Sequence, residues 1–212
     1  MKALIVSGGV LPGKNELKRL RRDADLLIGV DGAAETLLAC KIVPDVLIGD
    51  FDTADPKSVQ ALEVAGAHVI RLDTRKNQTD TQAAVDHALG AGAAEITMIG
   101  AVGTRLDHTL ANVQMLLRAA KRNAAMRLVD AHNEAFAATG ETTLHGVPGQ
   151  TVSILPMDGD ISVSSDGLEY PLKRLSLPHG SSRGISNVMT EQIAHIHISG
   201  GYALIIKSDA SE

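Results

Sequence analysis

The chain has 212 residues, of which 44% are hydrophobic and 21% charged, enough to build one large or two small cores and too apolar for a disordered polypeptide. Residues 1–124 balance their Lys and Arg against Asp and Glu, so the net charge of −5 lies in residues 125–212, and no basic face argues for a nucleic-acid partner. The single Cys40 excludes an intramolecular disulfide, no apolar run approaches membrane-spanning length, and the amino terminus reads as a strand and not as a signal peptide, which together predict a cytoplasmic protein.

Short Val/Ile/Leu runs predict strands at residues 3–7, 26–30, 46–48, 68–72 and 95–99, of the kind buried on both faces of a parallel sheet. Between them lie helical stretches at 15–22, 33–40, 56–65, 80–89 and 106–123. In the last of these Leu106, Leu110, Val113 and Leu117 draw one apolar stripe. After Asn123 the texture changes to short apolar runs broken by Gly, Pro, Asp and Ser, such as MRLVDA, TVSILPMDG and HIHISGGYALIIK, which read as antiparallel strands. The expected fold is an α/β sandwich around a parallel sheet over residues 1–124, followed by an antiparallel β-sandwich domain over 125–212.

Acidic residues stand where the predicted strands end: Asp31 in IGVDGAA, Asp50 and Asp52 in LIGDFD, and Asp80 in KNQTD. In an extended strand residues i and i+2 point the same way. Asp50 and Asp52 therefore aim two carboxylates at one point, with Phe51 on the opposite side. Any one Asp could simply cap a helix or make a turn. Four that converge on the carboxyl edge of one sheet suit Mg2+, which prefers carboxylate oxygens and shares its remaining positions with substrate phosphates.

Other segments carry weaker signals. Gly8 to Lys14 has the spacing of a phosphate-binding loop, but Asn15 replaces the required Ser or Thr, so the segment reads as a Gly/Pro-rich turn. Thr79 followed by Gln82 is a capping box that starts a helix with Asp80 in its first turn. GAVGTRLDHTLAN opens the last helix: its glycines permit a tight turn, Arg105 suits a phosphate, and Asp107 and His108 sit in the first turn. His195 and His197 alternate on a strand without a third ligand at recognisable spacing, so they read as one sheet face.

The series DGAA, P-D-x-L-I-G-D-F-D, Q-T-D-T, G-x-R-L-D-H-x-L-A-N, GLEYPL and ISN resembles the thiamine pyrophosphokinase family in order and spacing over nearly the whole chain. The resemblance implies transfer of a pyrophosphoryl group from ATP to thiamine, with Mg2+ as cofactor. It also implies a homodimer that holds thiamine between subunits. By that resemblance Asp31, Asp50, Asp52 and Asp80 are the metal-binding and catalytic acids, with the division between ligand and general base left open. Lys76, Arg105, Asp107 and His108 line the nucleotide side, and Ser186 and Asn187 the thiamine side. The chain departs from the family pattern at Asn77, commonly an acid, and at Val188, often Glu in bacterial members, and it has no Trp. Two other readings stand beside the enzyme. One is a non-catalytic thiamine sensor using the same pocket. The other is a Mg2+-dependent phosphoacceptor module, which would want a Lys after the fifth strand where this chain reads GAVGTR.

Overall fold

A computed structural model describes residues 1–75 and 77–209, arranged as two compact units, Met1–Ala131 and His132–Glu212. In the first, strands β1 (Lys2–Val6), β2 (Leu26–Val30), β3 (Val46–Gly49), β4 (His68–Arg71), β5 (Glu95–Ile99) and β6 (Ala125–Val129) alternate with helices. The helices are α1 (Lys14–Arg22), α2 (Ala33–Ala39), α3 (Pro56–Val64), α4 (Asp80–Gly90) and α5 (Leu106–Ala120). All the pairings are parallel and the spatial order is β6-β5-β1-β2-β3-β4. The chain therefore winds outward from β1 in one direction and then restarts on its other side, leaving a topological switch between β1 and β5.

Alternation along the strands divides the core. Leu4, Val6, Leu27 and Leu47 join Leu17, Leu20, Leu37, Val59 and Leu62 of α1, α2 and α3 in one cluster. Ile5, Ile28 and Ile48 point to the other face, where α4 packs against β1, β2 and β3. Burying a Leu such as Leu47 completely contributes about 2 kcal/mol. This burial on both faces is why the strands read as uninterrupted apolar runs.

The second unit is antiparallel. Its strands are β7 (Asn133–His145), β8 (Thr151–Pro156), β9 (Ile161–Asp166), β10 (Leu175–Leu177), β11 (Asn187–Val188) and β12 (Ile193–Ser208). β12 pairs with β7 along both of its halves, with a register shift between Ile198 and Ala203. Its first half also pairs with β9 and its second half with β8. The irregularity, at which Gly200 takes φ 93°, falls where the outer partner of this long strand changes from β9 to β8. Ala194, Ile196 and Ile198 alternate inward to meet Val152, Ile154, Ile161, Val163 and Leu177 in a core of their own. Tyr170 stays outside that core, 62% exposed, and Phe136 packs against the core from a partly buried position.

Two expectations are corrected. MRLVDA does not open the antiparallel domain: β6 pairs parallel with β5, so the first unit runs to Ala131 and not to 124. A strand with no helix after it looks like the start of a β-rich segment, and only its pairing reveals otherwise. The stripe foreseen on α5 is also not the buried one. Leu106 is 69% and Leu110 57% exposed, whereas Asn112, Leu116 and Ala119 face inward. α4 and β6 lie on that inner side, and a bidentate pair from Arg118 to Asp86 of α4, at 2.8 and 2.9 Å, sets the rotation of the helix.

Candidate active site

A cleft of about 490 Å3 opens at the carboxyl ends of the parallel strands. Its walls come from the segments that follow β1 (Ser7 to Gly9), β2 (Asp31, Gly32), β3 (Asp50, Asp52, Thr53) and β5 (Gly100 to Arg105), and from the first turn of α4 around Asp80. It spans the switch point, where open α/β sheets bind ligands.

Asp31, Asp50 and Asp52 each offer a carboxylate oxygen, and these atoms lie within 4.8 Å of one another. Three of the four acids named from sequence come together, and Asp50 and Asp52 do so by a geometry other than strand alternation. β3 ends at Gly49, and Phe51 takes φ 57°, a left-handed conformation that costs a side-chain residue roughly 1–2 kcal/mol. The ring packs against the first unit's core, beneath the Arg71 guanidinium at 5.4 Å, and this packing holds the turn. The Asp52 amide donates to Asp50 Oδ1 at 3.3 Å, closing a local loop that carries both carboxylates. Asp31 is also left-handed, at φ 44°. Its amide donates to the Ile48 carbonyl at 3.0 Å, and it sits so close to Gly49 that a Cβ there would lie 3.1 Å from the Asp31 Cα.

The electrostatics suit a cation. The Asp50 carboxylate beside Asp52, with smaller contributions from burial and from Asp31, holds the Asp52 carboxyl above the ordinary range. Asp31 Oδ2 accepts from Thr53 Oγ1 at 2.5 Å, while its buried Oδ1 accepts no hydrogen bond. Three mutually repelling carboxylates, one with an oxygen excluded from solvent, fit a hard divalent ion with oxygen ligands. Asp80, first residue of α4 behind the Thr79 cap, lines the same cleft but stands outside that cluster. The Thr79 hydroxyl accepts from the Gln82 amide at 3.1 Å as the capping box predicts, while Gln82 Nε2 donates to Gln78 Oε1 at 3.3 Å.

The opposite wall is the loop Gly100 to Arg105. Gly100 takes φ 68°, and a Cβ on it would lie 2.2 Å from the Ser7 carbonyl oxygen, so only glycine lets the two loops interlock. Arg105 and His108 line the cleft. Asp107 is not among the cleft residues: it is exposed and pairs with Arg105 at 2.6 and 3.2 Å, which holds its carboxyl below the usual range. Lys76 lies outside the described residues. Sequence reasoning assigned no role to Thr109 or to Asn112, although Arg105, His108, Thr109 and Asn112 form a polar stripe at helical spacing and all line the cleft. Asn112 is buried and its Nδ2 donates to the Ala101 carbonyl at 2.7 Å, fastening the loop to α5.

In the second unit Ser186 is exposed at φ 60°, and its amide donates to Ser153 Oγ at 3.1 Å. Asn187 is buried. Its Nδ2 donates to the Tyr170 carbonyl at 2.8 Å and its Oδ1 accepts from the Tyr170 amide at 3.0 Å, so the side chain clamps the GLEYPL segment. His197 pairs with Glu141 at 2.7 Å and His195 meets Thr143 at 3.4 Å, in keeping with two imidazoles on one sheet face.

A doubly wound sheet with converging carboxylates and an interlocked glycine loop at its switch point belongs to the class of α/β proteins that bind ligands at the carboxyl ends of their strands. Residues 17–128 match the thiamin pyrophosphokinase catalytic domain, and residues 141–203 match the thiamin pyrophosphokinase vitamin B1 binding domain. Thiamine pyrophosphokinase of Bacillus subtilis (strain 168) is 30% identical over 207 residues, which span 96% of this chain and 97% of that protein. A crystal structure of thiamine pyrophosphokinase from Bacillus subtilis aligns with TM-score 0.87 at 30% identity, covering 98% of this chain and 99% of that one. One of thiamin pyrophosphokinase from Geobacillus thermodenitrificans aligns with TM-score 0.85 at 28% identity, covering 100% and 99%. The chain belongs to the thiamine pyrophosphokinase family.

Proposed function

We infer that this protein transfers the pyrophosphoryl group of ATP to the hydroxyethyl oxygen of thiamine, giving thiamine diphosphate and AMP. The observation that carries this reading is the match of both family domains, in order and along almost the whole chain.

The thiamine hydroxyl oxygen forms a bond to the β-phosphorus of ATP. The bond from that phosphorus to the oxygen shared with the α-phosphate breaks, AMP leaves with that oxygen, and the hydroxyl proton passes to a base. Such a transfer asks the protein mainly for alignment and charge neutralisation. Asp31, Asp50 and Asp52 are proposed to hold Mg2+, which when bound offsets the charge of the triphosphate. Asp80, in the cleft but outside the cluster, is proposed to accept the hydroxyl proton. Arg105 and His108 face the phosphates, and the resemblance adds Lys76 and Asp107 to that side. Ser186 and the exposed ring of Tyr170 are proposed to meet thiamine, the ring offering a flat π face to a cationic heteroaromatic. Asn187 contributes by holding Tyr170 in place. The resemblance further supports a homodimer with thiamine between subunits, and the lone Cys40 with a strand-like amino terminus supports a cytoplasmic location. Among the described residues no helix is long and apolar enough to cross a membrane.

Incubation with ATP, Mg2+ and thiamine tests the reading. AMP and thiamine diphosphate are expected in equal amounts. ADP and thiamine monophosphate as main products, or binding of both substrates without turnover, would overturn it.

A further inference from the structure

We propose that Glu35 is a positioning residue for the cation site: it holds the loop that carries Asp52 against the mutual repulsion of the three carboxylates. The inference rests on the metal reading above.

Glu35 stands one helical turn beyond Asp31 in α2, and its side chain crosses to the β3–α3 connection, where its Oε1 accepts a hydrogen bond from the Asp55 amide. Thr53 Oγ1, two residues earlier on that connection, donates to Asp31 Oδ2. One short segment is thus gripped twice from one side of the cleft, immediately after Asp52. Asp55 in turn caps α3, its carboxylate accepting from the Lys57 and Ser58 amides at 3.3 and 3.1 Å. The grip of Glu35 therefore fixes where the loop ends and α3 begins.

Two features separate this contact from ordinary packing. Glu35 Oε2 is buried and accepts no hydrogen bond, so the side chain carries a desolvation penalty that an apolar residue would avoid. The loop it holds also starts through a left-handed Phe51 and presents Asp52 to Asp31 and Asp50, an arrangement that like charges drive apart. Outer residues that orient ligating carboxylates are a general requirement of metal sites.

The test uses the full-length chain free of metal and nucleotide, as wild type, Glu35→Ala, Glu35→Gln and the control Asp52→Asn. Glu35→Leu, which fills the space without an acceptor, replaces Glu35→Ala should the shorter side chain prevent folding. Exchange of the Asp55 amide proton, followed by NMR without metal, is expected to speed up in Glu35→Ala and stay near wild type in Glu35→Gln, which keeps the acceptor. Mn2+ binding, followed by EPR without substrates, is expected to weaken about tenfold in Glu35→Ala and to stay within about twofold in Glu35→Gln. Unchanged Asp55 exchange in Glu35→Ala, or unchanged Mn2+ affinity in that variant while Asp52→Asn loses binding, overturns the proposal. Equal damage in Glu35→Gln and Glu35→Ala also overturns it, because charge and not the hydrogen bond would then matter. Wild type that fails to bind Mn2+, or Asp52→Asn that binds it as well as wild type does, refutes the metal reading instead, and the amide exchange still judges the clamp.

Discussion

Asp52 is the residue on which the site's electrostatics converge, since its charge is opposed by Asp50 first and by Asp31 as well. Asp52→Asn is expected to abolish turnover while leaving the metal-free fold as stable as wild type or more so. The sign follows from linkage. A carboxyl whose folded pKa lies above its unfolded value destabilises the fold while ionised, and that penalty disappears as pH falls through the folded pKa. The melting-temperature advantage of Asp52→Asn over wild type should therefore be present at neutral pH and close as pH falls from above the raised Asp52 pKa toward the ordinary 3.8. Melting curves of both proteins across that range check it, and a gap that widened on acidification would contradict it. Asn112 acts through backbone. Asn112→Ala leaves the Ala101 carbonyl without its 2.7 Å donor, costing about 1–3 kcal/mol of stability. By loosening the Gly100 to Arg105 wall, it should also raise KM for ATP about tenfold with a smaller change in KM for thiamine. Steady-state kinetics that shift the thiamine KM instead would place Asn112 on the wrong side of the reaction.

Among the elements, α5 shows how far pattern reading reaches. Its existence follows from spacing, yet the helix turns Leu106 and Leu110 outward and buries Leu116, because α4 and β6 occupy the other side. Leu116→Ala should cost about 2–5 kcal/mol, read from the shift in urea midpoint at constant slope. A cost under about 1 kcal/mol would mean that the helix is not packed as described. The β3–α3 connection is the second case. Sequence alternation brought Asp50 and Asp52 to one point for the wrong reason, since a left-handed Phe51 anchored in the core does the converging and not an extended strand. α4 is the opposite case, because its Thr79 cap is a local signal in both sequence and structure.

For the molecule as a whole, assembly is the property to test. The second unit packs Phe136 against its core but leaves Tyr170 exposed, in keeping with a ring whose partner is a ligand or a second subunit. A homodimer is expected by sedimentation, and its dissociation should remove thiamine turnover while sparing nucleotide binding by the first unit. Asp52→Asn subunits mixed with Tyr170→Ala subunits should recover part of the activity, since one composite site in each heterodimer stays intact. Tyr170→Ala is the better partner for this test because Asn187 is buried and its loss would unfasten a whole loop. Mixed subunits that exchange without recovering activity, or a fully active monomer, would rule out the shared site.

What the sequence by itself determined was the alternation of strands and helices in the first unit, the change to antiparallel strands, the family and the acids at the strand ends. These depend on residues that are neighbours in the chain, where backbone geometry imposes a period of 2 or 3.6 and short motifs keep their spacing. Tertiary structure alone decided that β6 belongs with β5, which face of α5 is buried, that Asn187 clamps Tyr170, and that the β3–α3 connection is tied to Asp31 by Thr53 and to Glu35 of α2 by the Asp55 amide. Each depends on which distant segment a group meets, and a strand, a helix face or a buried polar atom takes its partner from the packed core and not from its own spacing.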